Sequence, residues 1–182
     1  MIECELKIPV DALAGIRRRL RAADAERLTP SERESNILFD TDDGALATAG
    51  QVLRVRRVGD RNVLTFKGPP AFAGAVKQRL EIELDVSSDE RISELLQALG
   101  YSPRMRYEKD RESWSIGAVR VDLDHTPMGD FVELEGPTDA LASAAHGLGL
   151  DPEDAVAGSY VGLWRDHRTR HPGLGRDMVF DS

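Results

Sequence analysis

Alternation of apolar and charged positions is the strongest local signal in this chain. In Ile2-Glu3-Cys4-Glu5-Leu6-Lys7-Ile8 the even positions are apolar or nearly so, and the odd ones carry two carboxylates and an ammonium. Successive side chains of a strand point to opposite faces, so the segment predicts a β-strand with one charged face. The same period of two recurs over 51–58 and 61–68, a hairpin joined at Gly59-Asp60, and over 76–86, 104–116, 118–126 and 130–136. Between these runs the period lengthens. Leu13, Ile16 and Leu20 predict an amphipathic helix over 10–28. Residues 87–100 predict a second helix, with Ser or Asp at its start, Ile92, Leu95, Leu96 and Leu99 on one face and Gly100 at the stop. Residues 138–150 predict a third, and 152–170 read as helical. Residues 34–50 read as a short strand and then an Asp- and Gly-rich loop, 68–74 as a loop, and 171–182 as an irregular tail.

Strand runs joined by short turns, with helices between groups of them, indicate an α+β fold on an antiparallel sheet. The helices' apolar faces are expected to cover one side of it. A single domain over 1–170 with a tail over 171–182 fits the length of 182 residues.

Composition narrows the function. The chain is 41% hydrophobic and 31% charged with a net charge of -8, and its pI is about 5.1. That balance argues against a general nucleic-acid binder while allowing a local basic pocket. Cys4 is the sole cysteine, so neither an intrachain disulfide nor a cysteine metal cluster is available. There is no apolar run near 18 residues and the first residues read as a charged strand, so the expectation is a cytoplasmic protein without a membrane partner.

The charged positions are sorted by strand. Acids dominate Glu3/Glu5, Asp122/Asp124 and Glu133/Glu135, and bases dominate Arg54/Arg56, Lys67 and Lys109/Arg111. The run 76–86 carries both, as Lys77, Arg79, Glu81, Glu83 and Asp85. One arrangement is an open sheet whose charged face meets water. The other closes the sheet so that these faces look inward. Paired carboxylates then call for a divalent cation and clustered Arg and Lys for an anion such as phosphate. The residue pattern alone leaves both open.

The ordered set of motifs resembles the CYTH family, the triphosphate tunnel metalloenzymes. Glu3-Cys4-Glu5-Leu6-Lys7 resembles its ExExK signature. In chain order, NILFDT, LRVRR, LTFKGP, RLEIE, YEKDR, LDHTPMGDFVELEG and SYVGLW resemble its later elements. The resemblance implies a closed eight-stranded antiparallel β-barrel, a tunnel with a polar charged lumen and helices packed outside. It implies that Glu3, Glu5, Glu81, Asp124, Glu133 and Glu135 hold Mg²⁺ or Mn²⁺, with Asp122 and Glu83 as lesser candidates. Lys7, Arg54, Arg56, Lys67, Lys109 and Arg111 would grip phosphate oxygens and act in catalysis, with Arg79 a further substrate contact.

The expected substrate is a small molecule bearing a triphosphate: tripolyphosphate, thiamine triphosphate or a nucleoside triphosphate. Hydrolysis is the first expectation, because the His-Phe that precedes ExExK in some cyclases of the family is not found ahead of Glu3. Cyclisation of ATP to cyclic AMP and pyrophosphate is the alternative, and a non-catalytic polyphosphate or nucleotide binder a third. A homodimer is compatible with the sequence.

Other features have plainer readings. His167 and His171 stand at i, i+4 and read as a solvent-facing pair rather than a metal pair. His125, beside Asp124, could tune the site. Cys4 falls on the apolar face by parity. Trp114 and Trp164 read as core or lid contacts, and Tyr160 as a cap on the tunnel or a core residue. There is no GxxxxGK[ST] loop, so any phosphate grip must come from side chains.

Overall fold

The computed structural model describes residues 2–181, Ile2 by its backbone alone, so the expected apolar-face position of the Ile2 side chain lies outside the described residues. In chain order the elements are β1 (Ile2–Val10), α1 (Leu13–Ala22), β2 (Glu26–Asp40), α2 (Ala45–Thr48), β3 (Val52–Val58), β4 (Arg61–Lys67), β5 (Ala71–Ala73) and β6 (Val76–Val86). There follow α3 (Asp89–Ala98), β7 (Ser102–Ile116), β8 (Val119–Thr126), β9 (Gly129–Glu135), α4 (Thr138–Gly147) and α5 (Tyr160–Arg170). The strands form one sheet in the order β1-β9-β8-β7-β2-β3-β4-β6, and β6 pairs back to β1. The result is a closed eight-stranded antiparallel barrel, and β5 is an extra strand on β6. Closure removes the edges that an open sheet would expose. Among the described residues no helix is long and apolar enough to cross a membrane.

The barrel wall separates two environments. Apolar positions of β1, β8 and β9 face outward under α1 and α4, where Leu6, Ile8, Val121, Leu123, Val132 and Leu134 pack with Leu13, Ile16, Leu20 and Leu141. A second, smaller cluster joins α3 to the outer face of β2 and β3 through Leu96, Phe39 and Val55. A third lies on the inner side. Met105, Tyr107 and Phe131 share strand parity with Lys109 and Glu133, and they pack against Tyr160 and Trp164 of α5 and Met178 of the tail. α5 therefore sits across one mouth of the barrel. Met178 also exchanges backbone hydrogen bonds with β7, donating to Arg106 O and accepting from Glu108 N.

Several elements differ from the pattern-based expectation. The first helix stops at Ala22 rather than reaching 28: Asp24 takes a left-handed φ of +51° and residues 26–28 enter β2. That strand is 15 residues long, not short, because its first half pairs with β7 through register shifts that erase the alternation. The loop at 68–74 contains β5, and the Asp-rich loop contains the short α2. Asp40 supports α2 by accepting hydrogen bonds from the backbone N–H of Thr41, Leu46 and Ala47 at 2.8, 2.8 and 2.9 Å. Burial opposes the Asp40 charge, but these donors outweigh it and lower its pKa. The helix expected over 152–170 is regular only from Tyr160, after a 3₁₀ turn at Pro152–Asp154.

The apolar face expected for the second helix is only partly used. Leu96 is buried, whereas Leu95 and Leu99 are 52% and 64% exposed. α3 lies over β3 and β4 and leaves the outer face of β6 uncovered, where Leu80, Ile82 and Leu84 are also exposed. The helices thus cover part of the barrel. Replacing Leu96 with Ala should cost about 2–4 kcal/mol, the range for truncating a packed core leucine. Leu95→Ala should stay within about 0.5 kcal/mol, as surface substitutions do. Urea unfolding of the two variants checks this; equal losses would show that α3 docks differently.

Candidate active site

Closure turns the charged parity of each strand inward. Of the residues that the sequence singles out, Glu3, Glu5, Lys7, Arg54, Arg56, Lys67, Arg79, Glu81, Lys109, Arg111, Glu133 and Glu135 all line one cavity of about 670 Å³. The cavity runs through the barrel, and Gly158–Gly162 at the start of α5 form part of its wall. Register explains the gathering: Glu5 lies opposite Glu135 and Lys7 opposite Glu133, Glu3 opposite Arg79, and Lys67 opposite Glu81.

The odd one out is Asp124. It is fully buried, behind the cavity surface. Its oxygens accept from Arg111 Nε at 2.7 Å, Arg111 Nη2 at 2.6 Å, Lys109 Nζ at 3.0 Å and the Tyr160 hydroxyl at 2.6 Å. Arg111 also meets Asp122 at 2.7 Å and pairs with Glu133. Lys7 pairs with Glu133 as well and lies 3.6 Å from Glu5, with the Tyr160 ring 4.3 Å from its ammonium. These contacts form one buried network that fixes the three cations. Burial works against the Lys7 charge, but Glu133 and Glu5 outweigh it and hold its pKa above the usual ammonium range. The same balance pushes Glu133 well below the carboxylate range, against burial, through Lys7 and Arg111. Burial and Asp124 push the Tyr160 phenol well up, so it stays a neutral donor.

A second group of cations sits on β3 and β4. Arg54 donates to Thr65 Oγ1 and to the Tyr107 hydroxyl, each at 3.1 Å, and approaches Glu83 at 3.4 Å and Glu81 at 3.8 Å. Among the described residues its buried Nε has no hydrogen-bond partner. Arg56 lies 3.5 Å from Glu34, which is also 3.6 Å from Lys109. Arg79 instead points its guanidinium at the Gly68 and Gly50 carbonyls. Glu34, Asn36, Thr65 and Tyr107 carry no role in the sequence reading. Their only signal is strand parity: Glu34 and Asn36 share the inward face of β2, Thr65 that of β4 with Lys67, and Tyr107 that of β7 with Lys109. Lys77 has the right parity and pairs with Glu5.

The acids are less evenly served. Lys67 donates to both Glu3 and Glu81 at 2.8 Å. Burial opposes the Glu3 charge, but a hydrogen bond with Glu81 and the Lys67 ammonium hold its pKa at about 2. Burial and that same contact with Glu3 raise Glu81 to about 7. Glu135 forms no ion pair among the described residues, and burial, Glu3 and Asp122 raise it to about 6. Carboxylate crowding of this kind, with oxygen donors only, fits a hard divalent cation. Among the described residues no three His, Cys, Asp or Glu groups already form a metal-sized cluster.

The remaining features lie elsewhere. His167 stacks between Trp164 and His171, with ring centroids 5.5 and 4.2 Å away. His125 bonds Asp130 at 2.7 Å and stacks on Phe180, off the cavity. Trp114 is buried in the outer core, and Cys4 packs against that same core.

Comparison with known proteins agrees with this geometry. The CYTH domain profile matches residues 1–157. Adenylate cyclase CyaB of Aeromonas hydrophila is 27% identical over 140 residues, 75% of this chain and 70% of that protein. A Vibrio parahaemolyticus protein provisionally named an adenylate cyclase has a similar fold, with TM-score 0.81 at 20% identity over 91% of this chain and 98% of that one. HpAC1 of Hippeastrum, named for adenylyl cyclase and described as having a dominant triphosphatase activity, aligns with TM-score 0.68 at 16% identity. That alignment covers 91% of this chain and 96% of its own.

Glu34 gives a pH test of the buried network. Its burial opposes ionisation, yet Lys109, Arg56 and Arg111 depress its pKa well below the ordinary 4.5. A depressed acid stabilises the fold above its unfolded pKa and loses that contribution as pH falls toward the folded value. Glu34→Gln should therefore destabilise the protein at pH 7, and the difference from wild type should shrink steadily below about pH 4.5. Denaturant unfolding at pH 7, 5, 4 and 3 measures this; a pH-independent difference would mean that the Glu34 charge does not contribute.

Proposed function

This chain belongs to the CYTH domain family, and on that premise we propose that it is a metal-dependent enzyme that hydrolyses a triphosphate inside its tunnel. Relatives in the family include proteins named for adenylate cyclase and one with triphosphatase activity, and the family implies a divalent metal. One observation supports the reading above all: guanidinium and ammonium groups share a single lumen with a crowd of carboxylates, among them Glu3, Glu5, Glu81, Glu133 and Glu135.

In this reading Lys7, Lys109 and Arg111 bind oxygens of the phosphate chain from one side, and Arg54, Arg56 and Lys67 from the other. Arg supplies a planar fork suited to phosphate and Lys a compact charge. Asp124 acts through them. By accepting from Arg111, Lys109 and Tyr160 it keeps those donors aimed inward before substrate arrives, and such preorganisation is where electrostatic catalysis gains most. Arg79, turned toward backbone carbonyls, shapes the wall.

Glu3, Glu5, Glu81 and Glu135 would hold Mg²⁺ or Mn²⁺, with Glu133 shared between that cluster and Lys7 and Arg111. The metal would supply neutralisation of phosphate charge and a lowered pKa for attacking water. The protein's own part is to line up the chain in place and spread the charge that grows on the leaving oxygen, which is most of what phosphoryl transfer needs. Cyclisation of ATP is the second reading, favoured by the adenylate cyclase relative. The cationic cradle serves both reactions, since they differ in which phosphorus is attacked and by which oxygen.

Incubation with Mg²⁺ or Mn²⁺ and tripolyphosphate, thiamine triphosphate or ATP should release orthophosphate and the shortened phosphate chain, and chelation with EDTA should abolish the reaction. Cyclic AMP as the main product from ATP would establish the second reading instead. Glu135→Gln removes a carboxylate that has no ion-pair partner among the described residues, so its melting temperature should be unchanged or higher. Metal-dependent turnover should fall by at least about tenfold to a hundredfold. Retained activity would remove Glu135 from the metal set.

A further inference from the structure

We propose that Lys77 holds Glu5 in contest with a divalent cation and passes to the phosphate chain when the cation takes that carboxylate, so that metal and triphosphate bind in concert. The assignment rests on the triphosphate reading and adds a residue to the same site.

Composition singles Lys77 out. Of the 24 lysines and arginines only four are lysine: Lys7, Lys67, Lys77 and Lys109. All four line the tunnel cavity, so arginine serves wherever such a cation lies outside it. On a solvated surface either residue meets the need for charge. A confined site separates them, because lysine brings a compact ammonium with three rotatable donors on a flexible stem and arginine a planar fork. Three of these lysines grip phosphate in the reading above, and Lys77 is the fourth.

Its position gives it two kinds of partner. β6 sets Lys77 opposite Glu5 of β1, and the Lys77 ammonium pairs with Glu5 Oε1. Lys7 lies 3.6 Å from that same oxygen. One carboxylate oxygen thus stands between two ammonium groups, and one of those is a proposed phosphate contact. Glu5 is also among the carboxylates that would hold the metal. A cation that takes Glu5 weakens the hold of that carboxylate on Lys77, and two positive charges on one carboxylate repel strongly where water is scarce. The Lys77 backbone is pinned by pairing on both sides, to Glu5 on β1 and to Phe72 on β5, so the response falls to its flexible side chain. The anion then within its reach is the phosphate that Lys7 binds, whose oxygen takes the place of Glu5 Oε1 between the two ammonium groups. Arg79, two residues on, has no such freedom, because its guanidinium is held by the Gly50 and Gly68 carbonyls. Linkage makes the effect reciprocal: metal on Glu5 raises the affinity for the triphosphate, and the triphosphate raises the affinity for metal.

Calorimetry at low temperature on wild type, Lys77→Gln and Lys77→Arg tests this, with Mn²⁺ alone and with tripolyphosphate in saturating Mg²⁺. Ending the contest for Glu5 should tighten Mn²⁺ binding by about fivefold or more in Lys77→Gln, the lower end of couplings between linked sites. Loss of the ammonium should weaken tripolyphosphate by about tenfold, the low end for a hydrogen bond to a charged group. Lys77→Arg keeps the charge beside Glu5, so its Mn²⁺ affinity should stay near that of wild type. A second measurement uses wild type itself and does not depend on the Gln variant folding. Lysine labelled with ¹³C at Cε gives one resonance for each of the four lysines, and the one missing from Lys77→Arg belongs to Lys77. It should move on saturation with Mg²⁺ and move again when tripolyphosphate is added. Mn²⁺ affinity unchanged or lower in folded Lys77→Gln, or a Lys77 resonance indifferent to Mg²⁺, overturns the contest for Glu5. Unchanged tripolyphosphate binding in folded Lys77→Gln, or a resonance indifferent to tripolyphosphate, overturns the passage to phosphate. Each of these results leaves the triphosphate reading standing. Folded wild type that binds neither Mn²⁺ nor tripolyphosphate overturns that reading and the role of Lys77 with it.

Discussion

Closing the sheet places a row of full charges from every strand inside the barrel, and neutralising them is the constraint on which the remaining structure depends. A lone buried ion is costly, and breaking one partner of a buried pair typically costs about 3–5 kcal/mol. The chain meets this by register. Both neighbouring and distant strands bring acid against base: Arg111 and Lys109 meet Asp122 and Asp124 across the β7–β8 hairpin, while Lys7 meets Glu133, Arg111 meets Glu133 and Lys109 meets Glu34 from strands further apart. Asp124 is the centre of this set, fully buried and bonded to Lys109, Arg111 and Tyr160 at once. A lumen that is expensive to leave empty of countercharge is also one already shaped for a ligand that carries charge.

Carboxylates crowd one another where β1, β6 and β9 meet. Glu3, Glu81 and Glu135 outnumber the cation that serves them most closely, Lys67, and the displaced pKa values of Glu81 and Glu135 record the imbalance. The same low-dielectric surroundings that make an unmatched carboxylate unfavourable make a bound cation effective. The fold thus keeps one half of the site tightly paired for positioning and gathers carboxylates in the other.

The outer layer follows a simpler rule. α1 and α4 bury the apolar parity of β1, β8 and β9, and α3 buries that of β2 and β3, while β6 keeps exposed leucines. α5 is different in kind, because it packs on inward-facing Met105, Tyr107 and Phe131 and delivers Tyr160 to Asp124. The tail completes it: Trp164 Nε1 donates to Arg176 O at 3.0 Å, and Met178 is held in the backbone ladder of β7. The wall at that mouth is therefore built from the last part of the chain, and the cavity is complete only when it docks.

What the sequence by itself determined is local and periodic. The period of two marks β1, β3, β4, β6, β8 and β9, assigns each charge to a face, and shows acids and bases sorted by strand, because strand geometry ties side-chain direction to residue number. With the family motifs this was enough to read the barrel and the residues that line it. Tertiary structure alone decided the rest, since no local rule contains it. Whether a charge meets solvent, a metal or another charge depends on which strand lies opposite, so Asp124 and Glu135, alike in sequence, end as a fully engaged hub and an acid without an ion pair among the described residues. The first half of β2 was illegible because its pairing with β7 shifts register. Glu34 and Tyr107 lie where the pairing is regular, on the inward parity of β2 and β7, and only closure of the barrel shows which parity faces the lumen.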